Sequence, residues 1–66
     1  MKVLTFGKTY KLTNDIVDII NKQEYKKGSI VRVIDEKGSG YILEDISSTN
    51  LILIDYQQSK YLKWCV

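Results

Sequence analysis

The chain has 66 residues with ten basic and eight acidic side chains, a net charge of +2. It is too short for two domains and too evenly charged for a surface dedicated to nucleic acid. One cysteine and no histidine exclude an intramolecular disulfide, a cysteine metal cluster and catalysis by a histidine base.

The first elements in chain order are two short β-prone pieces, residues 3–6 and 9–12. In the second piece, Tyr10 and Leu12 share one face at the period of two that a strand has, and Lys11 points to the other face. This pattern predicts a strand with one buried face.

Residues 13–27 predict a long loop that contains one ambiguous segment, residues 16–20. Four of its five residues are β-branched, which favours an extended arm. Helical spacing would instead place its three isoleucines on one face. We expect the extended arm. The alternative is an α+β fold in which a short helix at 14–22 packs on a four-stranded antiparallel sheet.

The middle of the chain predicts strands at 29–35, 41–46 and 51–56, separated by turns at 36–40 and 47–50. The last of these strands is the most continuously apolar run in the chain. An uninterrupted Leu-Ile-Leu-Ile is typical of a strand whose two faces are both covered. We therefore predict that this strand lies in the middle of a tightly curved sheet.

The C-terminal residues predict two short elements. Residues 57–62 are too polar for a strand and too short for a full helix, so we expect a single 3₁₀ turn with Tyr61 and Leu62 directed inwards. Residues 63–66 would form the last strand and close the sheet.

The order and spacing of these elements resemble an SH3-like small β-barrel. The resemblance rests on the early strand, the long excursion at 13–27 that is similar to an RT loop, and the Lys26-Lys27-Gly28 turn into a strand. It also rests on the short turns, the 3₁₀-like segment 58–62 and the terminal strand. It implies a single domain, residues 1–66, with an all-β fold: a five-stranded SH3-like small barrel with a long RT-type loop. Peptide-binding SH3 domains have a tryptophan at the start of a middle strand, whereas the one tryptophan here is Trp64.

Two further resemblances bear on function. Residues 27–33 combine a basic turn, a glycine and alternating valines, and are similar to the KOW-type motif of ribosomal and transcription-factor barrels. The frequent Ile, Lys and Tyr and the lack of proline resemble short uncharacterised proteins of phages and prophages, which implies a small binding or structural protein.

Residues that could carry chemistry are few. The carboxylates at 35–36 and 44–45 would lie near one another across a hairpin, and we interpret them as a solvated rim because the spacing of a calcium loop is lacking. The Gly38-Ser39-Gly40 step lacks the Lys-Ser/Thr ending of a phosphate loop. Cys65 is interpreted as a structural thiol. We expect a protein that is not an enzyme, with no catalytic residue, no metal and no cofactor.

The sequence favours a cytoplasmic protein. The first residues lack the basic and apolar regions of a leader. No apolar run approaches the roughly 20 residues of a membrane span. A single cysteine fits a reducing compartment, and we expect no membrane partner.

Our first functional hypothesis is a non-catalytic interaction module. Ile19, Ile20 and Tyr25 are more apolar than a simple loop requires. If they are not core residues, they form an exposed patch of the kind that marks a partner site or a homodimer contact. The binding surface would be the long loop together with an exposed edge strand, and the partner a protein.

The alternative hypothesis is a nucleic-acid-binding barrel, SH3-like or KOW-like. Such a protein needs cations for phosphates and flat rings for stacking, and basic and aromatic residues alternate in this chain. The cations expected to contact nucleic acid are Lys26, Lys27, Arg32, Lys60 and Lys63.

Overall fold

The protein is all-β in the computed structural model, which describes residues 4–64. Those residues contain seven strands and one short 3₁₀ helix, and no α-helix. The elements are β1 (Thr9–Leu12), β2 (Ile16–Val17), β3 (Glu24–Tyr25), β4 (Ile30–Lys37), β5 (Gly40–Asp45), β6 (Leu51–Asp55), the 3₁₀ helix (Gln58–Tyr61) and β7 (Leu62–Trp64).

Five strands form one antiparallel sheet in the order β6-β5-β4-β1-β7, and β2 and β3 form a separate two-stranded hairpin. The sheet is not closed, and its strand order is compatible with a small β-barrel-like fold. The all-β prediction is thus confirmed, with β6 and β7 as the two edges of the sheet.

The α+β alternative is wrong, because residues 16–17 are extended and pair with β3. Ile16 lies opposite Tyr25, and Val17 lies opposite Glu24. The β-branched side chains of this segment favour the extended backbone. The extended arm is shorter than expected, since residues 19–21 form a turn.

The core lies on one face of the sheet and is closed by the β2–β3 hairpin. Strand β1 has the predicted pattern, with Tyr10 and Leu12 buried and Lys11 exposed. Leu62, predicted to point inwards at the end of the 3₁₀ turn, is the first residue of β7 and is fully buried, and Tyr61 is partly buried. The buried apolar side chains are Leu4, Tyr10, Leu12, Ile16, Tyr25, Val31, Val33, Tyr41, Leu43, Ile52, Ile54 and Leu62.

The prediction for the strand at 51–56 is wrong in one respect. It forms β6, but β6 is an edge of the sheet and not a middle strand. Ile52 and Ile54 are buried in the core, whereas Leu51 is 58% exposed and Leu53 is half-buried. The continuous apolar run therefore combines a core face with an outward face that is only partly covered.

Two turns of the protein, at 18–23 and 45–50, share one geometry. In each turn the N–H of the first residue donates to the carbonyl of the sixth (2.9 Å in both), and the N–H of the fifth donates to the carbonyl of the first (2.8 and 2.7 Å). The fifth residues, Lys22 and Thr49, have φ of +62° and +60°. Both turns begin with a buried aspartate that anchors them.

Gly40 is required by a close approach of two strands. A Cβ at this position would lie 1.8 Å from the carbonyl oxygen of Ile54 on β6. Glycine alone lets the backbones of β5 and β6 pair here.

The remaining predictions concern both chain ends and the carboxylates. Leu4 to Phe6 do not form a strand, and Val3, Cys65 and Val66 lie outside the described residues. The two carboxylate pairs were expected to lie near one another across the hairpin, but they do not pair. Asp35 lies opposite Ile42 and Glu44 lies opposite Arg32, because the tight turn that pairs Lys37 with Gly40 sets this register. Asp45 is buried and accepts a hydrogen bond from the Ser48 hydroxyl (2.7 Å).

Candidate partner-binding surface

The turn at 18–23 lies against the edge strand β6. The N–H of Ile19 donates to the carbonyl of Leu53 at 2.9 Å. Backbone groups on an open edge are available for pairing, and the chain uses one of them to attach its own loop. The contact leaves the next side chain, Ile20, 69% exposed.

Asp18 fixes the conformation of this turn. Its carboxylate is almost fully buried and accepts from the N–H of Ile20 (2.8 Å), the N–H of Asn21 (3.3 Å) and the side-chain amide of Asn21 (3.4 Å). Hydrogen bonds from backbone N–H groups stabilise a buried carboxylate. Asp18 therefore holds the turn in a shape that keeps Ile20 in solvent.

The base of the loop is attached to the 3₁₀ helix. The side-chain amide of Gln58 accepts from the N–H of Val17 (2.8 Å) and donates to the carbonyl of Val17 (2.9 Å). The amide thus pairs with β2 as a neighbouring strand would. The backbone N–H of Gln58 also donates to Asp55 Oδ1 at 2.8 Å. Gln58 therefore joins the loop, the 3₁₀ helix and the end of β6.

The outward faces of β5 and β6 carry apolar side chains beside this turn. Ile42 lies opposite Leu53, and Glu44 lies opposite Leu51. Between the turn and these strands is a cleft of about 380 Å³, which we term the turn–sheet cleft. It is lined by Asp18, Ile20, Asn21, Lys37, Ile42, Leu51, Ile52 and Leu53.

Lys37 gives the turn–sheet cleft a cationic end. It is exposed and forms no ion pair with any carboxylate of residues 4–64. The other ionisable residue of the cleft, Asp18, already accepts hydrogen bonds from its own turn. A ligand in the cleft would therefore meet apolar walls and one positive charge.

Of the three residues expected to bind a partner, one lines the cleft and a second is its neighbour in the turn. Ile20 lines it, and Ile19, 41% exposed, precedes it in the same turn. Tyr25 does not join them on the surface, because it pairs with Ile16 across the hairpin and is only 7% exposed. Its ring is part of the core.

The sequence predicted an exposed edge strand as part of this surface but did not identify its residues. Ile42, Leu51 and Leu53 line the cleft, whereas the strand at 51–56 was expected to be covered on both faces. One signal was present: an edge strand with a solvated face alternates apolar and polar residues, and residues 51–54 do not. Such a run indicates either a central strand or an apolar outward face.

The five cations expected to contact nucleic acid are spread over several elements. Lys26 is exposed in the β2–β3 region, and its ammonium forms ion pairs with Glu24 (2.6 Å) and Asp15 (3.8 Å). The hydrogen bond to Glu24 and the two negative charges raise the pKa of Lys26 above its ordinary value. Lys27 follows in the same loop, where its backbone N–H donates to Asp15 (2.7 Å).

The other three cations lie elsewhere. Arg32 is 3.8 Å from Glu44, and the Lys60 ammonium is 5.2 Å from the ring centre of Tyr61. Lys63, on the edge strand β7, is paired directly with Lys11 on β1. Arg32 and Lys63 are both exposed, but three of the five cations are already next to a carboxylate or a ring.

Residues 4–64 contain neither a metal-binding cluster nor a membrane-spanning helix. There is no group of three or more cysteine or acidic side chains arranged to hold a metal ion. No helix in this part of the chain is long and apolar enough to cross a membrane.

Comparison of the chain with protein-family models, with curated proteins and with solved structures found no match.

Proposed function

We propose that this protein is a non-catalytic interaction module that binds a protein partner through the turn–sheet cleft. The observation that supports this most is the pair Ile20 and Leu51, which are 69% and 58% exposed and line one cleft. Exposed apolar side chains that lie together mark interaction surfaces more often than isolated ones do.

The size and lining of the cleft fit this role. A volume of about 380 Å³ falls within the range of roughly 300–1,000 Å³ that is usual for ligand sites. Apolar side chains with few charged groups are also usual for the central part of a protein interface. The cleft can take a few side chains of a partner.

The residues of the cleft favour binding over catalysis. Asp18 is held by the N–H groups of its own turn, and Lys37 forms no ion pair with an acidic side chain of residues 4–64. A catalytic pair needs two groups within hydrogen-bond reach of a reacting atom. We therefore propose a protein that is not an enzyme and uses no cofactor.

The setting of the protein is also part of the proposal. The lone cysteine supports a cytoplasmic location. The strand order β6-β5-β4-β1-β7 supports an SH3-like barrel, and the composition supports a phage or prophage origin.

The proposal is tested by selecting short peptides from a random display library on the wild-type protein. The matched control is the double variant Ile20→Ser, Leu51→Ser. Because both side chains are largely exposed, these changes should alter the free energy of unfolding by only about 0.5 kcal/mol each. We expect peptides that bind the wild type and not the folded double variant.

Two results would contradict the proposal. One is a wild type that enriches no peptide, or peptides that bind both proteins equally. The other is salt-sensitive binding of a mixed-sequence duplex or single strand that is lost on replacing Lys26, Lys27 and Lys63 with glutamine. That second result would favour the nucleic-acid-binding alternative.

A further inference from the structure

The charge at one end of the turn–sheet cleft indicates what kind of segment it takes. We infer that the occupant is an extended peptide segment with apolar side chains for the cleft and an acidic side chain that pairs with Lys37. This inference rests on the proposed function and deepens it by stating the chemistry of the partner.

The apolar part of the inference comes from the strand that forms the wall. Leu51 and Leu53 are on one face of β6, about 7 Å apart as alternate residues of a strand are. A partner segment in extended conformation presents alternate side chains at the same interval. Its side chains can therefore contact Leu51 and Leu53 in register.

The extended conformation is supported by the backbone of the same edge strand. Asp45 and Asn50 form a hydrogen-bonded pair between β5 and the chain before β6. Because hydrogen-bonded and non-bonded pairs alternate along an antiparallel ladder, the backbone groups of Leu51 point away from β5. The carbonyl of Leu53, which points the same way, already accepts from the N–H of Ile19. A segment that adds to this edge would therefore pair at Leu51, by a recurring mode of peptide recognition.

The acidic part of the inference comes from the balance of charge around the cleft. Lys37 forms no ion pair within residues 4–64. Glu44 is beside Arg32, and Asp55 accepts from the N–H of Gln58. Asp18, the one carboxylate that lines the cleft, is almost fully buried and is compensated by backbone N–H groups. A carboxylate of the partner would therefore supply the charge that Lys37 lacks.

The inference is tested on one enriched acidic peptide and its Glu→Gln or Asp→Asn counterpart. Binding of each is measured by fluorescence anisotropy to the wild type, to Lys37→Gln, and to Lys63→Gln, which loses the same charge on the far edge of the sheet. We expect Lys37→Gln to weaken binding of the acidic peptide about two- to fivefold, as for an exposed ion pair. The neutral peptide should be unaffected by Lys37→Gln, and the difference should shrink at high salt.

Several outcomes would overturn the inference. Enriched peptides without acidic residues, or equal effects of Lys37→Gln and Lys63→Gln, would show that Lys37 does not select the partner while the proposed function stands. A wild-type dimer that Leu51→Ser converts to a monomer in light scattering would show that a second copy of this chain occupies the cleft. A wild type that binds no peptide and remains a monomer would overturn the proposed function itself.

Discussion

At the scale of single residues, Thr49 is constrained by its backbone conformation and Gly40 by the space around it. Thr49 has φ of +60°, a region that is uncommon for β-branched residues. Gly40 has no space for a Cβ. Both positions lie at the hairpins that form β5 and β6, so both affect the strands that line the turn–sheet cleft.

Replacing Thr49 with asparagine should stabilise the protein. Asparagine tolerates the left-handed region far better than a β-branched residue does, so we expect the free energy of unfolding to rise by about 0.5–1 kcal/mol. Urea denaturation of the wild type, Thr49→Asn and Thr49→Ala measures this. If Thr49→Asn is less stable than Thr49→Ala, backbone strain does not determine the stability at position 49.

Replacing Gly40 with alanine should destabilise the protein strongly. The added Cβ would meet the backbone of Ile54 at 1.8 Å, so the strands must separate, and we expect a loss of about 3 kcal/mol or more. Gly38→Ala is the matched control, since its Cβ has open space and only its φ of +61° is unfavourable, which costs about 1–2 kcal/mol. Equal losses of stability for Gly40→Ala and Gly38→Ala in thermal unfolding would show that the contact with Ile54 does not limit position 40.

The hydroxyl of Tyr56 donates to the carboxylate of Glu36 and joins the end of β6 to β4. This hydrogen bond, with smaller contributions from desolvation and from the charge of Glu36, raises the pKa of Tyr56 above its ordinary value of 10.0. Because the pKa of Tyr56 is raised in the folded state, this hydrogen bond contributes fully to stability below pH 10. Its contribution is lost as the pH rises through the folded-state pKa of Tyr56.

Glu36→Gln should therefore lower the pKa of Tyr56 towards its ordinary value. A titration of the phenol carbon of Tyr56 by NMR, in the wild type and in Glu36→Gln, measures the change. Identical titration curves would show that the hydrogen bond does not form in solution.

At the scale of elements, the turn at 18–23 determines whether the cleft exists. Its shape depends on Asp18, and its position depends on the Ile19–Leu53 hydrogen bond and on the attachment of Val17 to Gln58. These contacts hold an apolar side chain, Ile20, in solvent. A loop without them would be free to fold its isoleucines onto the outward face of the sheet.

Asp18→Ala should loosen this turn. Removing a buried acceptor leaves N–H groups of the turn unpaired, so we expect a loss of about 1–3 kcal/mol and faster amide hydrogen exchange at Ile20 and Asn21. Asp45→Ala, in the equivalent turn, is the control: it should cost a similar amount of stability but leave exchange at Ile20 and Asn21 unchanged. Unchanged exchange in Asp18→Ala would show that Asp18 does not hold the turn.

The elements also show how far the sequence predicts the fold. Alternation in β1, the turn residues and the polar 3₁₀ segment are local signals, and with them the sequence predicted β1, β4, β5 and β6 in nearly their observed positions. The position of β6 in the sheet is not a local property, because the same apolar run suits a central strand or an edge strand with an apolar outer face. For the same reason the sequence predicted Ile19 and Ile20 as a candidate surface but missed Leu51 and Leu53.

At the scale of the whole molecule, a single sheet has one face in the core and an outward face that is solvated over β1 and β7. Over β5 and β6 the outward face carries apolar side chains together with Glu44 and Asp55. Lys11 and Lys63 lie at one end of the outward face, and Ile42, Leu51 and Leu53 at the other. The small domain thus separates a charged edge from an apolar edge. We expect a protein partner to bind at the apolar edge.

The most direct test of this account is an NMR titration of the isotope-labelled protein with a peptide selected as above. We predict that the amide shifts that change belong to Ile20, Lys37, Ile42, Leu51 and Leu53, and that those of Lys11 and Lys63 do not move. Changes centred on β1 and β7, with none at the turn–sheet cleft, would contradict the account.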